Sequence, residues 1–246
     1  MVSHDDMSRS FGAAADLYQA GRPEYPVEAV AWMLAPVGTK ARVIDVGAGT
    51  GKLTRAVLAV GAEGVTAVDP DPLMLARLHA ELPDVPVLEG TAEHLPLTDD
   101  SADAVVLGQA WHWVDPVAGS REIGRVLRAG GVLGLIWNIR DAGVGWVARM
   151  SDIMHNSNAE EMIASVGPQV AAPFNTLESR SWEWSRAMTR GDLLAMARSR
   201  SYLITAEPEE RARIEAGLEA LFDEIGAVGD ATVDLPYVTT AFRAVS

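Results

Sequence analysis

Three glycines at alternate positions, Gly47, Gly49 and Gly51, are the residues whose type and spacing most directly suggest chemistry. They follow the largely β-branched run 42–46, which is typical of a buried parallel strand, and precede apolar residues at helical spacing from Leu53 onward. Glycine has no Cβ, so the backbone can turn sharply and a ligand can lie directly against it. The pattern predicts a strand, a tight turn and a helix N-terminus whose N–H groups face a ligand crevice.

Two aspartates indicate what such a ligand carries. Asp69 ends the next apolar run, twenty residues after Gly49, where a carboxylate at a strand tip can accept hydrogen bonds from both ribose hydroxyls. Asp45 lies inside the first strand, where it would repel a pyrophosphate but attract an ammonium group. The spacing G-x-G-x-G also differs from the usual dinucleotide spacing G-x-G-x-x-G. A ribose together with an ammonium indicates a nucleoside with an amino-acid tail, which is S-adenosylmethionine.

The stretch 43–54, V-I-D-V-G-A-G-T-G-K-L-T, resembles the first motif of class I S-adenosylmethionine-dependent methyltransferases. Asp69 resembles the ribose-binding acid of that family, and the stretch 125–137 resembles its later R-x-L-x-x-G-G turn and strand. The resemblance covers the whole chain. It implies an α/β, Rossmann-like fold: a seven-stranded sheet, mostly parallel with an antiparallel last strand, and helices on both faces. The apolar runs that would form these strands are 42–46, 65–68, 85–89, 101–107, 132–137, 181–188 and 234–245.

The resemblance also implies a set of cofactor contacts. In the family, the turn after the third strand carries an acidic residue that accepts the adenine amino group. Thr91 stands at that position here, so we assign the adenine contact to Thr91, Ala92 and Glu93 as a group. The complete predicted cofactor site is Asp45, Gly47, Ala48, Gly49, Gly51, Asp69, Pro70, Thr91, Ala92, Glu93, Gln109 and Ala110.

An aromatic cluster, Trp111, His112 and Trp113, follows the predicted fourth strand. The carboxyl end of such a strand faces the ligand crevice, where an aromatic face attracts a sulfonium cation. Imidazole side chains can act as general bases near neutral pH, and His112 is the predicted catalytic residue. Alternatively, both tryptophans pack the following helix and His112 caps it. The other predicted substrate-binding residues are Phe11, Tyr18, Arg22, Asn138 and Arg140; docking of the N-terminal segment, capping and surface pairing are the alternatives for them.

Three local motifs indicate a branch of the family and its domain organisation. F-G-x-x-A-x-x-Y near the N-terminus, Q-A-W-H-W and W-N-x-R-D together resemble trans-aconitate-type small-molecule methyltransferases. We expect a single domain over 1–246, with a helical cap at 1–26. We expect the region 142–176 to be a helical insertion over the active site; packing around the far half of the sheet is the alternative.

Composition restricts the function further. The net charge of −14 opposes binding to a nucleic-acid backbone and favours a small-molecule acceptor, although acidity can also serve solubility alone. The chain has no cysteine, no continuous apolar run that could span a membrane, no secretory signal pattern and no metal-ligand spacing, so we expect a cytoplasmic protein without a metal. The predicted reaction is in-line transfer of the methyl group of S-adenosylmethionine. The alternatives are a protein that binds this cofactor without transferase activity, or a nicotinamide oxidoreductase.

Overall fold

A seven-stranded sheet organises the computed structural model, which describes residues 21–154, 158–200, 203 and 206–246. Its strands are β1 (Arg42–Val46), β2 (Gly64–Asp69), β3 (Val87–Glu89), β4 (Ala102–Gly108), β5 (Leu127–Arg140), β6 (Glu178–Thr189) and β7 (Thr232–Val245). The helices in the described ranges include α1 (Val27–Leu34), α2 (Lys52–Ala59), α3 (Pro72–Glu81), α4 (Pro116–Val126), α5 (Gly145–Met154), α6 (Asn158–Ala164), α7 (Arg190–Arg198) and α8 (Pro208–Glu224). A short 3₁₀ helix spans Trp111–Trp113.

The strand order is β3-β2-β1-β4-β5-β7-β6. Neighbouring strands from β3 to β5 pair in parallel, whereas β7 runs antiparallel to both β5 and β6. The predicted fold, with its antiparallel last strand, is therefore confirmed. The order reverses between β1 and β4, and open α/β sheets bind their ligands outside the carboxyl ends of the strands at such a point.

Alternate residues of the parallel strands bury opposite faces of the sheet. Val43 of β1 packs with α1 and α2, in a core that includes Met33 and Val57. Ile44, its neighbour, belongs to the core on the other face, which includes Ile123 of α4. Because both faces are covered by helices, the strands read as almost continuous apolar runs, as the sequence indicates.

Two predicted boundaries around α4 and β5 were wrong. The sequence favoured a helix over 121–127, but α4 begins at Pro116, since Asp115 accepts hydrogen bonds from the N–H groups of Val117 and Ala118. Proline fits the first helical position because it lacks an N–H group there. The fifth strand was predicted over 132–137; β5 is longer because it also pairs with β4 before a register shift and runs on beside β7.

The far end of the sheet has its own apolar core. The region 142–176 contains α5 and α6, and α5 packs with α8 through residues such as Met150 and Phe222. The loop that follows α6 reaches back to the 3₁₀ helix, where Trp111 Nε1 donates a hydrogen bond to the Gln169 carbonyl over 2.9 Å. Of the predicted N-terminal cap 1–26, only the part from residue 21 lies among the described residues. None of the described helices is both long and apolar enough to cross a membrane.

Candidate active site

A cavity of about 390 Å³ lies at the carboxyl ends of β1, β2 and β4. Its walls include most of the residues that the sequence assigned to the cofactor, together with one of the predicted aromatic residues: Gly47, Gly49, Asp69, Pro70, Thr91, Ala92, Glu93, Gln109, Ala110 and Trp113. Residues that are distant in sequence therefore meet at the point where the strand order reverses. Ala48 does not line this cavity but a smaller neighbouring cleft, whereas Asp45 and Gly51 line neither of them.

The glycine turn makes room for a ligand in the way that the sequence predicts. Gly47, Gly49 and Gly51 all have positive φ angles, of 66°, 54° and 85°. A Cβ built on Gly49 would have no heavy atom within 4 Å, so the space beside this residue is open. A Cβ on Gly47 would lie 2.7 Å from Cβ of Ala110. The turn thus holds β1 close to the segment after β4 while leaving the backbone at Gly49 accessible.

The N–H groups of the turn itself are engaged in hydrogen bonds within the protein. Gly47 N and Ala48 N both donate to the Val68 carbonyl, at 2.8 and 3.1 Å. Gly51 N donates to the Ala48 carbonyl over 2.9 Å, and Gly49 N donates to Asp69. Three of these amides fasten the turn to β2, and the fourth closes the turn on itself. The prediction of free donors concerns the N-terminus of α2, which follows the turn. Such a turn offers backbone space rather than the amide cradle that a pyrophosphate needs.

Asp69 lies at the tip of β2 and joins the turn to the next helix. Its Oδ2 accepts a hydrogen bond from Gly49 N at 2.8 Å, and its Oδ1 accepts one from Asp71 N at 2.9 Å. Each carboxylate oxygen can accept a second hydrogen bond. Burial raises the pKa of Asp69 to about 6, although the two backbone N–H groups oppose this shift. The carboxylate is fixed in the cavity wall, with acceptor capacity left for a diol.

Asp45 lies inside β1, as the sequence predicts, but it does not line the cavity. Its side chain is fully buried, and its Oδ2 accepts a hydrogen bond from Thr54 Oγ1 at 2.6 Å. Burial raises the pKa of Asp45 to about 7, while the hydrogen bond from Thr54 acts in the opposite direction. The expected direct contact with an ammonium group does not follow from this geometry, because Asp45 lies behind the turn rather than in the cavity wall.

The opposite end of the cavity is formed by the turn after β3. Thr91 pairs through its backbone with His94, and this small turn exposes Thr91 while it buries Ala92. Glu93 Oε1 accepts a hydrogen bond from Asp115 N at 2.9 Å, which fixes the carboxylate beside the N-terminus of α4. Together with Asp69, the Glu93 side chain makes this wall acidic, which suits a cationic ligand.

A second, narrower cleft of about 30 Å³ continues from the cavity on the other side of the glycine turn. The two spaces share Gly47, Gly49, Gly108 and Gln109. The narrow cleft brings two predicted substrate residues, Arg22 and Asn138, next to Lys52. Lys52 Nζ lies 2.6 Å from Glu24 Oε1, and burial lowers the pKa of this lysine.

The aromatic cluster is divided by the structure. Trp113 lines the cavity, whereas Trp111 is 2% exposed and packs in the core around α4. Trp111 is therefore a packing residue, which was the alternative that the sequence left open. His112 is partly buried, with its ring centre 5.0 Å from that of Trp113, and it lines neither the cavity nor the narrow cleft.

The remaining predicted substrate residues are also separated. Arg140 is buried at the end of β5, and its Nη2 lies 2.8 Å from Glu160 Oε1 of α6. It lines neither space, because its guanidinium tethers α6 to the sheet. Phe11 and Tyr18 lie outside the described residues.

Several wall residues were not predicted. Met74 lies in the first turn of α3, directly after Asp69, so its position next to the crevice could have been inferred from the strand–helix pattern. Leu107 and Val114 flank the aromatic cluster, and Tyr25 and Lys52 line the narrow cleft. These four carry no local signal, since apolar and basic residues occur throughout such elements. Within the described ranges, no group of His, Asp and Glu side chains could hold a metal ion.

Comparisons with known proteins show which family the chain belongs to. A family model described as "Methyltransferase domain" matches residues 44–135. An uncharacterized methyltransferase of Mycobacterium tuberculosis is 43% identical over 243 residues, which cover 98% of each chain. A provisionally named type II methyltransferase of Anaeromyxobacter dehalogenans has a similar structure, with a TM-score of 0.69, 20% identity and coverage of 91% of this chain and 97% of that one.

A phosphoethanolamine N-methyltransferase of Haemonchus contortus, solved with S-adenosylhomocysteine, matches with a TM-score of 0.56 and 17% identity, over 100% of this chain and 60% of that one. The chain belongs to the class I S-adenosylmethionine-dependent methyltransferases. It is an enzyme of that family, and S-adenosylmethionine is its cofactor. The occupied turn amides and the acidic cavity wall fit this cofactor better than the pyrophosphate of a nicotinamide dinucleotide.

Proposed function

We propose that the enzyme transfers the methyl group of S-adenosylmethionine to a small-molecule acceptor. The observation that carries the proposal is the pairing of Gly49, open on its Cβ side, with the Asp69 carboxylate hydrogen-bonded to its N–H. The small acceptor is supported by the narrowness of the second cleft and by the net charge of −14, which disfavours a nucleic-acid substrate.

Each wall of the cavity has a distinct proposed role. Asp69 accepts hydrogen bonds from the ribose hydroxyls, and Thr91, Ala92 and Glu93 surround the adenine. The amino-acid tail lies over Gly49 toward the narrow cleft. Asp45 acts from behind the turn: its carboxylate contributes a negative potential at the tail without touching it, because a buried charge is poorly screened.

The chemistry of the reaction requires little from the protein beyond alignment. When bound, S-adenosylmethionine supplies an activated methyl group, which an acceptor lone pair displaces in line while the electron pair of the carbon–sulfur bond stays on sulfur. The protein holds the acceptor at the mouth of the narrow cleft and excludes water. Trp113 presents an aromatic surface to the cavity, which favours a sulfonium cation. We retain His112 as the candidate base for acceptors that lose a proton, acting beside Trp113 from outside the cavity wall.

The region 142–176 covers the acceptor side in this proposal. Its α6 is tied to the end of β5 by the Arg140–Glu160 ion pair, and its following loop is tied to Trp111. Such fixed contacts suit a permanent cover over the site, within a single domain. We also propose that the enzyme belongs with the trans-aconitate-type branch, on the motifs Q-A-W-H-W and W-N-x-R-D.

Calorimetric titration tests the cofactor site. We expect S-adenosylmethionine to bind the wild-type protein, and Gly49→Val or Asp69→Ala to weaken binding at least about 100-fold, since one fills the open space and the other removes the ribose acceptor. Asp84→Ala, a change of the same type at an exposed position, is the matched control. Equal heats from all four proteins would remove the site.

The small acceptor is tested separately with methyl-labelled cofactor. A cell extract is divided by dialysis into a low-molecular-weight fraction and a macromolecular fraction, and each is incubated with the enzyme. We expect label to enter the small molecules. Label in protein or nucleic acid alone would contradict this part of the proposal while leaving the transferase reaction intact.

A further inference from the structure

A group of arginines surrounds a buried tyrosine beyond the narrow cleft. Tyr237 of β7 is 1% exposed, and its ring stacks on Trp184 of β6 with centroids 5.0 Å apart. Arg140 of β5 is the register partner of Tyr237. Arg186 follows Trp184 by two residues and lies on the same face of β6. Four guanidinium groups act electrostatically on the tyrosine hydroxyl, those of Arg22, Arg140, Arg186 and Arg200. This group is unusual in a chain whose net charge is −14.

Several described members of the group carry a buried polar atom for which the structure shows no hydrogen-bond partner, and two of them are central here. Among the residues that the structure describes, the Tyr237 hydroxyl and the Arg200 Nε have no hydrogen-bond partner. Arg200 is only 7% exposed. Arg140 differs, because it is neutralised by Glu160. A buried hydroxyl and a buried guanidinium N–H without a hydrogen-bond partner both destabilise a fold, so their retention points to a ligand that supplies the missing partner.

The group is directly connected to the cofactor side of the site. Asn138 lines the narrow cleft, and its Oδ1 accepts a hydrogen bond from Thr239 Oγ1 at 2.6 Å. Thr239 Oγ1 in turn accepts one from Trp184 Nε1 at 2.7 Å, on the ring that stacks on Tyr237. Two hydrogen bonds and one ring stack therefore connect the cleft wall to the buried tyrosine.

The N-terminal segment makes a second connection. Gly21 packs so closely on the end of α7 that a Cβ there would lie 2.8 Å from Ser199 Oγ. This contact places Arg22, which lines the narrow cleft, next to the residue that precedes Arg200. The arginine group thus lies on the side of the cleft where an acceptor would meet the reactive end of the cofactor.

We propose that the acceptor carries an anionic group, a carboxylate or a phosphate, which binds to the Arg200 guanidinium and the Tyr237 hydroxyl. This proposal rests on the transferase function proposed above and names its substrate class. A guanidinium donates charge-assisted hydrogen bonds to either oxyanion, and the hydroxyl adds one more donor. Arg186 contributes further positive charge. The anion serves as an anchor, and the methylated atom can lie elsewhere on the acceptor.

Binding of two anionic probes to the protein saturated with S-adenosylhomocysteine tests the proposal. Glutarate and inorganic phosphate are titrated at constant ionic strength, with the neutral glutaramide beside them, and calorimetry measures the dissociation constants. We expect at least one anion to bind and glutaramide not to bind. Arg200→Gln and Tyr237→Phe should each raise the dissociation constant at least about tenfold, whereas Arg198→Gln, a matched change two residues away in a surface ion pair, should not.

Each contrary outcome has a definite meaning. Tyr237→Phe removes only an oxygen without a partner, so it keeps the test valid if Arg200→Gln fails to fold. Equal dissociation constants for all variants, or no saturable anion binding to the wild type, would overturn the proposal. Anion binding only when S-adenosylhomocysteine is absent would assign these residues to the carboxylate of the cofactor and would also overturn it. Binding of S-adenosylhomocysteine is measured first, so a failure of the transferase site is seen independently.

Discussion

Replacing Asp45 by asparagine should change how the stability of the enzyme depends on pH. The carboxyl group is fully buried, and burial raises its pKa from 3.8 to about 7. Between these two values the folded state binds more protons than the unfolded state, so the free energy of unfolding falls as the pH rises. The full cost, present above about pH 7, is about 4 kcal/mol for a shift of about 3 units. An asparagine does not titrate and carries no such cost.

The comparison is made between about pH 5.5 and about pH 8, where the same linkage gives a change of about 2 kcal/mol. We expect Asp45→Asn to gain this amount relative to the wild type over the interval. Any constant packing cost of the amide cancels in the difference. Urea unfolding of the cofactor-free protein, followed by tryptophan fluorescence and circular dichroism at both pH values, measures the four free energies.

Asp103→Asn is the matched control, because its carboxylate has the opposite environment. The hydrogen bonds and charge of Arg42, together with Arg128, hold the pKa of Asp103 well below its usual range. The stabilisation from this carboxylate is lost only as the pH falls below the unfolded-state pKa, so Asp103→Asn should be destabilised equally at both pH values. The reasoning would be refuted if the difference in unfolding free energy between Asp45→Asn and the wild type were the same at both pH values. It would also be refuted if the wild type became more stable relative to Asp45→Asn at the higher pH.

Three further predictions concern the turn, the buried ion pair and the histidine. Gly49→Val should abolish S-adenosylhomocysteine binding and lower the free energy of unfolding by about 1–2 kcal/mol because of its positive φ. Gly47→Ala should lower the free energy of unfolding further, because its Cβ would also meet Ala110. Calorimetry measures the loss of binding, and urea unfolding measures the loss of stability. Arg140→Met should lower the free energy of unfolding by about 3–5 kcal/mol, and adding Glu160→Gln should restore most of it; failure of the second change to rescue would contradict a direct pair. His112→Ala should leave the dissociation constant of S-adenosylhomocysteine within about twofold by the same titration, since its ring lines neither space, and a larger loss would place it in the cofactor site.

That most of the residues assigned to the cofactor line one cavity was predictable, because their signal is local. The glycine turn and Asp69 lie at strand ends whose positions follow from the apolar runs, and parallel strands bring those ends together. The direction of Asp45 was not predictable. Both faces of β1 are buried, so its strand gives no alternation from which to tell a residue of the cavity wall from one behind it. Nor does a turn sequence reveal that two of its amides, those of Gly47 and Ala48, donate to the Val68 carbonyl.

The acceptor half depends on contacts between distant elements. Arg140 and Glu160 meet because α6 folds back on the end of β5, and no periodic pattern in the chain between them predicts this. Trp111 and Trp113 are two residues apart, yet a short 3₁₀ helix sends one into the core and the other into the cavity. Tyr237 is placed beside Arg140 only by the antiparallel register of β7.

The distribution of charge across the site gives these two halves one physical logic. On the cofactor side, Asp45 and Asp69 are buried carboxylates whose pKa values of about 7 and about 6 show the cost of being ionised without a cation nearby. On the far side, Arg200 is a buried cation whose Nε lacks a partner within the described part of the chain. A cationic cofactor would offset the first cost, and the proposed anionic acceptor would offset the second. Each ligand would then bind where an uncompensated buried charge destabilises the empty protein. Transfer of a methyl group from a sulfonium to an anionic atom neutralises both reacting centres, so neither product centre would be held by the buried charges and both products would leave readily. An acceptor methylated at an atom other than the anionic group that binds Arg200 would keep its charge and would leave more slowly.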